Sequence, residues 1–167
     1  MKLTELLTAP RAHQPRLFPD QPHDAALSRD ILQSDGDGAA CRAGQLLFND
    51  DLDAAHELVQ NLATPTGSLW HAVIHRRDRD FGNSKYWWHR TGAHPAFDAV
   101  YQAVTQVLES ESEPAAVRFR DDLTMAGRWL PERFVDICAA LQGEPAWALK
   151  VQEAEMTALL YWCAAQN

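Results

Sequence analysis

The sequence predicts an all-α, single-domain protein packed as an irregular bundle of six to nine helices. Apolar residues recur at i, i+3, i+4 and i+7 in several segments, as at Phe134, Ile137, Cys138 and Leu141. No segment shows the strict apolar and polar alternation that a half-buried strand requires. With 167 residues, of which 46% are hydrophobic, the chain is long enough for one substantial core.

An N-terminal arm, residues 1–22, is expected to lie on the helical domain formed by residues 23–167. Residues 2–8 predict a short amphipathic helix with Leu3, Leu6 and Leu7 on one face. Prolines at positions 10, 15, 19 and 22 then favour extended chain, because proline cannot continue a helix.

The helical domain begins with three predicted helices, over residues 24–33, 39–48 and 50–62. The acids at the start of the third suit the positive end of a helix dipole. Later helices are expected over residues 68–77, 85–91 and 95–110, from Pro131 to a stop at Gly143, and over residues 146–165. Residues 115–130 are ambiguous, because Gly127 limits any helix there.

Residues 68–97 have the composition of a functional site. This stretch holds four of the seven His and three of the six Trp. On its first helix, His71, His75 and Asp78 share one face, because they are spaced i, i+4 and i+7. Arg77 falls within the opposite apolar arc. Either the helix ends there, or the guanidinium is drawn inward toward a buried acid or an anionic ligand, because an unpaired charge is costly to bury.

A transition-metal site is one interpretation of the histidines. His56 flanks the apolar stripe of the preceding helix and can point toward His71 and His75. Three imidazoles from two helices, with Asp78 as a further ligand or an orienting partner, suit zinc, nickel or iron. The alternative is that these histidines cap helices, bond to backbone groups or face water, since H-x-x-x-H alone is a weak motif.

The second half of the stretch predicts a turn followed by an aromatic helix. Asp80, Gly82 and Asn83 favour the turn, and Asn83 or Ser84 is expected to cap the helix. Three consecutive aromatic residues, 86–88, cover about 200° of the helix surface. If they lie inside, a pocket is favoured, whereas a contiguous exposed patch favours an interface.

Residues 70–87 resemble the signature of a known protein family. The run W-H-A-V-I-H-R-R-D-x-D-x-x-N-S-K-Y-W, followed by G-x-H-P, resembles the signature W-H-x-I-x-H-R-R-E-x-D-x-x-N-A-K-Y-W of a family of uncharacterised bacterial and fungal proteins. The likeness is dense over about thirty residues and extends loosely to F-V-D-I-C and to a final helix with Gln152, Glu155 and Trp162. Asp78 and Ser84 depart from the pattern, which has Glu and Ala there. The resemblance marks a region and implies no activity.

Charge and cysteine usage narrow the class of partner. The net charge of −8 argues against general binding to nucleic acid or to anionic membranes, yet residues 71–94 carry Arg76, Arg77, Arg79, Lys85 and Arg90 against two acids. A small anionic ligand is therefore expected.

Three widely spaced cysteines without C-x-x-C, and the lack of a signal peptide or an apolar span, predict a cytoplasmic protein.

Glu155 lies on the apolar line of the last helix, where an acid needs a cation or a hydrogen-bonding pocket. We therefore expect Glu155 to point inward and to pair with Arg76, Arg77 or Lys85.

Two functions from different classes remain open. The first is a small-molecule enzyme or binding protein whose polar pocket accepts an anionic group, with Arg76, Arg77 and Lys85 as the cations and His71 or His75 as an acid, base or metal ligand. The candidate pocket residues are His71, His75, Arg76, Arg77, Asp78, Asp80, Asn83, Lys85, Tyr86 and Glu155. The second is a non-catalytic module that docks a partner or a second copy through its Trp-rich surface.

Overall fold

The structure is a computed structural model that describes residues 13–34 and 37–166. Over these ranges the chain forms nine helices and no strand, which confirms the all-α prediction. The helices are α1 (Ala25–Leu32), α2 (Ala39–Phe48), α3 (Leu52–Val59), α4 (Pro65–Arg77), α5 (Phe81–Thr91), α6 (Phe97–Leu108), α7 (Pro114–Ala126), α8 (Pro131–Ala140) and α9 (Ala146–Ala164). The predicted helix over residues 2–8 lies outside the described residues.

Side-chain caps fix where several helices begin. Asp24 accepts hydrogen bonds from the first backbone N–H groups of α1, and Asp51, Thr64 and Asp80 do the same for α3, α4 and α5. Such caps satisfy N–H groups that have no partner within the helix. Two predicted starts were wrong for this reason. Helix α4 begins at Pro65 rather than residue 68, and α5 begins at Phe81 because Asp80 caps it, rather than Asn83 or Ser84.

Backbone conformation shortens one predicted helix and settles the ambiguous one. Asp50 adopts a left-handed φ of 60°, so the helix predicted over residues 50–62 begins only at Leu52, and it ends at Val59. The ambiguous segment forms α7 and ends where Gly127 takes a φ of 62°. Glycine adopts this conformation without steric cost, which makes it a frequent helix terminator.

Helix α4 runs through the centre of the bundle. Ten of its thirteen residues are buried, and it packs against α2, α3 and α5. Helix α2 lies very close to it, because a Cβ atom at Gly44 would come within 2.9 Å of the Trp70 indole and of the Leu160 side chain on α9. Any larger residue at position 44 would push these helices apart.

The described part of the N-terminal arm lies against this core. Leu17 and Phe18 are buried. The backbone carbonyl of Arg16 accepts hydrogen bonds from the Arg77 guanidinium, at 2.8 and 3.2 Å, and from the Gln152 amide at 2.9 Å. The arm therefore completes the hydrogen bonding of two buried polar side chains. None of the helices within the described ranges is long and apolar enough to cross a membrane.

Candidate functional site

Three histidines meet where α3 packs against α4. His71 and His75 project from successive turns of α4, and His56 approaches from α3. The ring centroids are 4.9 Å apart for His56 and His71, 5.5 Å for His56 and His75, and 6.0 Å for His71 and His75. The sequence-based expectation that these side chains lie together agrees with this arrangement.

Burial keeps two of these imidazoles neutral. The pKa of His71 falls to about 4, first because the ring is removed from water and then because His56 and His75 disfavour a further positive charge. The pKa of His75 is also lowered, mainly by burial, although Asp80 and Asp78 oppose the effect. At neutral pH each ring therefore offers one nitrogen as a hydrogen-bond or proton acceptor.

Neighbouring side chains hold these two rings. His71 stacks on Trp87 of α5, with 4.2 Å between ring centroids and 10° between their planes. The Asn83 amide nitrogen lies 3.2 Å from Nε2 of His75, and the Asp80 carboxylate lies 4.0 Å from its Nδ1. Asp80 and Asn83 occupy the first turn of α5 and its cap, so this helix orients both histidines of α4.

A cavity of about 290 Å³ opens beside His71. Its wall combines the end of α3 and the following loop with the start of α4 and one face of α5. The lining residues are Gln60, Asn61, Leu62, Ala63, Thr64, Pro65, Ser68, His71, Trp87 and Arg90. Because the cavity lies at the amino end of α4, the positive end of that helix dipole faces it.

Arg90 provides the cation of this cavity. Its guanidinium lies 5.6 Å from the Trp87 ring centroid and 5.8 Å from that of Tyr86, and it donates a 3.4 Å hydrogen bond to the Tyr86 hydroxyl. These contacts leave several of its five N–H donors for other partners. An imidazole acceptor and a guanidinium donor therefore share one wall.

Gly67 packs directly against Leu62, one of the residues that line the cavity. A Cβ atom there would lie 2.2 Å from the backbone oxygen of Leu62, far closer than any real contact. Helix α4 can thus approach the loop after α3 only because residue 67 has no side chain.

Arg76 and Glu155 were predicted as pocket residues, and they form a core ion pair instead. Arg76 Nη1 donates to Glu155 Oε1 at 3.0 Å, and Nη2 donates to Oε2. Burial lowers the pKa of Arg76, but the Glu155 charge and hydrogen bonds outweigh this effect and leave it raised. The guanidinium also lies 4.5 Å from the Phe134 ring centroid. The expected partnership of Glu155 is confirmed, with Arg76 as the partner.

Arg77 likewise serves the core rather than a ligand. Its guanidinium donates to Asp50 Oδ1 and to the Leu47 carbonyl, at 2.5 and 2.6 Å, as well as to the carbonyl of the arm. Burial lowers the pKa of Arg77 to about 10, with Asp50 opposing the effect, so the side chain stays charged at neutral pH. The proposed role of Arg76 and Arg77 in binding an anion is wrong because acids and carbonyls of the chain already occupy them.

The remaining predicted residues lie at the surface. Asp78 is exposed at the end of α4. Lys85 forms a 2.5 Å ion pair with Asp136, and both side chains are about half exposed. Tyr86 is 51% exposed, Trp87 is half-buried, and Trp88 is buried. The three consecutive aromatic residues therefore do not form the contiguous exposed patch that the interaction hypothesis expects.

The histidine cluster does not have the geometry of a metal site. Within the described ranges, no three His, Cys, Asp or Glu side chains are placed so that they can hold a metal ion. Asp78 points to solvent, and the His71 and His75 rings are nearly parallel, with 9° between planes, rather than converging on one point. The transition-metal interpretation of His56, His71, His75 and Asp78 thus has no geometric support.

Sequence reasoning missed the residues that complete the cavity. Arg90 was counted among the cations of residues 71–94 but was not placed in the pocket, because basic residues are common in the last turn of a helix for dipole reasons alone. Ser68 and Gln60 belong to ordinary helix ends. Trp87 was singled out as part of the aromatic run 86–88, which did not predict that it stacks on His71.

No protein-family model, curated protein or solved structure matches the chain.

Proposed function

We propose that the protein binds a small molecule through an anionic group in the cavity beside His71. The observation that carries this proposal is the pairing, on one cavity wall, of a neutral buried imidazole with a guanidinium that retains spare donors. His71 is only 3% exposed. Such a combination accepts one hydrogen bond from a ligand and donates several to its anionic oxygens.

The amino end of α4 supports the same class of ligand. Thr64 caps this helix through Gly67, and the cavity lies against Thr64, Pro65 and Ser68. The dipole at a helix amino terminus favours a carboxylate or a phosphate. In α4 the contribution comes from this dipole, because Thr64 already accepts the Gly67 N–H and Pro65 has no N–H. The cavity volume suits a compact ligand of metabolite size rather than a polymer.

The role that we propose for His71 follows from the protonation state of its ring at neutral pH. A ring whose pKa is about 4 is unprotonated at neutral pH and can accept a proton or a hydrogen bond from the ligand. Stacking on Trp87 fixes the plane in which it does so. If the protein is an enzyme, His71 is the residue we assign as its base, and Arg90 as the group that binds the anion.

The test is titration of the full chain with inorganic phosphate and with acetate, followed by the NMR signals of the histidine rings. We expect saturable shifts of the His71 signals with at least one of these probes. Arg90→Gln should weaken binding about tenfold or more, because a charge-assisted contact is lost. Arg29→Gln removes an exposed arginine of α1 that does not line the cavity, so it should leave the affinity for the probe unchanged.

Two results would overturn the proposal. One is the absence of any saturable shift at His71 with either probe. The other is binding that Arg90→Gln and Arg29→Gln weaken equally, since that pattern indicates a general response to net charge.

A further inference from the structure

A second cavity lies on the opposite face of α5 from the His71 cavity. Trp87 and Arg90 of this helix line the His71 cavity, whereas Trp88 and His89 line the second one. The second cavity encloses about 400 Å³, a volume that suits a small molecule. Its wall combines the carboxyl end of α5, the start of α6, the loop after α7 and the start of α8.

Trp88 brings a hydrogen-bond donor without an acceptor to this wall. The residue is only 3% exposed, and its buried indole nitrogen has no hydrogen-bond partner among the described residues. Its ring packs against Phe97, with 6.0 Å between the ring centroids. A buried N–H without an acceptor costs free energy. An oxygen atom of a ligand in the cavity would supply the acceptor.

The start of α8 and the loop before it add donors of the same kind. Pro131 is the first residue of α8, and no side chain caps this helix. The backbone N–H groups of Glu132 and Arg133 therefore lack a capping acceptor at the positive end of the helix dipole. The Arg128 guanidinium also lines the cavity and, within the described ranges, forms no ion pair, whereas Arg133 pairs with Asp122. A carboxylate can accept from all of these donors.

The same cavity also contains groups that favour a positive charge. It adjoins the carboxyl end of α5, where Gly92 is the cap and the last backbone carbonyls lack partners within the helix. Glu132 adds a carboxylate, and the ion pairs of the described chain do not include it. A ligand that carried only negative charge would be repelled by this acid. A ligand with both a carboxylate and an ammonium group matches both sets of groups.

We infer that this cavity binds a free amino acid with an apolar side chain. Trp88, Arg128 and the amino end of α8 hold its carboxylate, while Glu132 and the carboxyl end of α5 hold its ammonium group. Phe97 and Leu130 provide the apolar surface for its side chain. This inference is independent of the function proposed for the His71 cavity.

Titration of the full chain with three related compounds tests the class of ligand. L-Leucine carries both charges, isocaproate is leucine without the amino group, and isoamylamine is leucine without the carboxylate. The readout is the NMR signal of the Trp88 indole N–H, assigned with Trp88→Phe. We expect L-leucine to bind about tenfold or more tightly than either analogue, because each analogue lacks one charge-assisted contact. No saturable shift with L-leucine, or an analogue that binds as tightly, would overturn the inference.

Two variants test the opposite charges of the cavity. Arg128→Gln should weaken L-leucine binding about tenfold or more, because a charge-assisted contact is lost. Glu132→Gln should also weaken L-leucine but should tighten isocaproate, because it removes a repulsive charge. The matched controls, Arg118→Gln and Glu109→Gln, remove the same charges at exposed positions outside the cavity and should leave all affinities unchanged. Equal effects in the variants and their controls, or Glu132→Gln changing both affinities in the same direction, would contradict the assignment.

Arg90→Gln separates this site from the His71 cavity. Arg90 lines the His71 cavity and not this one, so the variant should leave the response of the Trp88 signal to L-leucine unchanged. Loss of this response in Arg90→Gln would overturn the inference, because it would place L-leucine in the His71 cavity.

Discussion

The carboxylate of Glu155 on α9 is wholly buried and accepts hydrogen bonds from both terminal nitrogens of the Arg76 guanidinium on α4. Two helices far apart in sequence are thereby joined by a two-pronged ion pair inside the core. Pairs of this kind are expensive to break, because the remaining charge stays buried without compensation.

Glu155→Ala should therefore lower the free energy of unfolding by about 3–5 kcal/mol. Urea denaturation measures this loss, and Glu57→Ala, at an exposed position of α3, should stay within about 0.5 kcal/mol of the parent. The double variant Arg76→Met with Glu155→Leu removes both charges and should recover most of the loss. A Glu155→Ala protein as stable as the parent would show that the pair is not formed.

Asp50→Asn separates charge from conformation at the second buried arginine. Asparagine tolerates the left-handed backbone that Asp50 adopts, so the variant keeps the turn but leaves Arg77 without its acid. We expect a loss of about 2 kcal/mol in the free energy of unfolding, measured by urea denaturation. Asp53→Asn, in the exposed first turn of α3, is the control. Equal losses in the two variants would argue against a role for the Arg77 contact.

His71 should make the protein less stable in mild acid. Its pKa is about 4 in the folded chain against an ordinary value of 6.5, so below pH 6.5 protons bind preferentially to the unfolded chain. Between pH 7 and pH 5 this difference costs about 2 kcal/mol, and the loss continues until the pH falls through 4. Urea denaturation of the parent, His71→Gln and His89→Gln between pH 7 and pH 5 isolates the contribution of His71. Of the two variants, only His71→Gln should reduce the dependence of the free energy of unfolding on pH. The same pH dependence in His71→Gln as in the parent would contradict the burial effect.

Gly67→Ala should change the cavity. The added methyl group collides with the Leu62 carbonyl, so the loop after α3 must move. We expect about 1–3 kcal/mol of destabilisation together with altered backbone NMR shifts in residues 60–65. Gly82→Ala meets no atom within 4 Å and serves as the matched control. A Gly67→Ala protein whose shifts match those of Gly82→Ala would show that the close approach is absent.

The fold could be predicted from the sequence to the extent that local rules determine it. The cap at Asp24, the stops at Gly92 and Gly127 and the apolar stripe of α8 each depend on residues close in the chain. The start of α5 could not be predicted, because Asp80 and Asn83 are both good caps and only packing against α4 selects one.

The candidate site shows where sequence reasoning fails. Arg77 in an apolar arc correctly indicated a buried partner, yet two adjacent arginines are about 100° apart on a helix and need not share one. Arg76 turns to α9 and α8, whereas Arg77 turns to Asp50 and the arm. A pattern in one helix fixes the direction of a side chain but not which distant segment lies there.

The hydrogen bonds to the backbone carbonyl of Arg16 determine which mutations the N-terminal arm tolerates. Because Arg77 and Gln152 bind the backbone oxygen and not the side chain, almost any amino acid at position 16 can present the same acceptor. A deletion of one residue between positions 17 and 22 is different, since Leu17, Phe18 and the 2.8 Å backbone contact of His23 with Asn49 fix the chain on both sides. The arm should therefore accept substitutions at this point while its length stays constant.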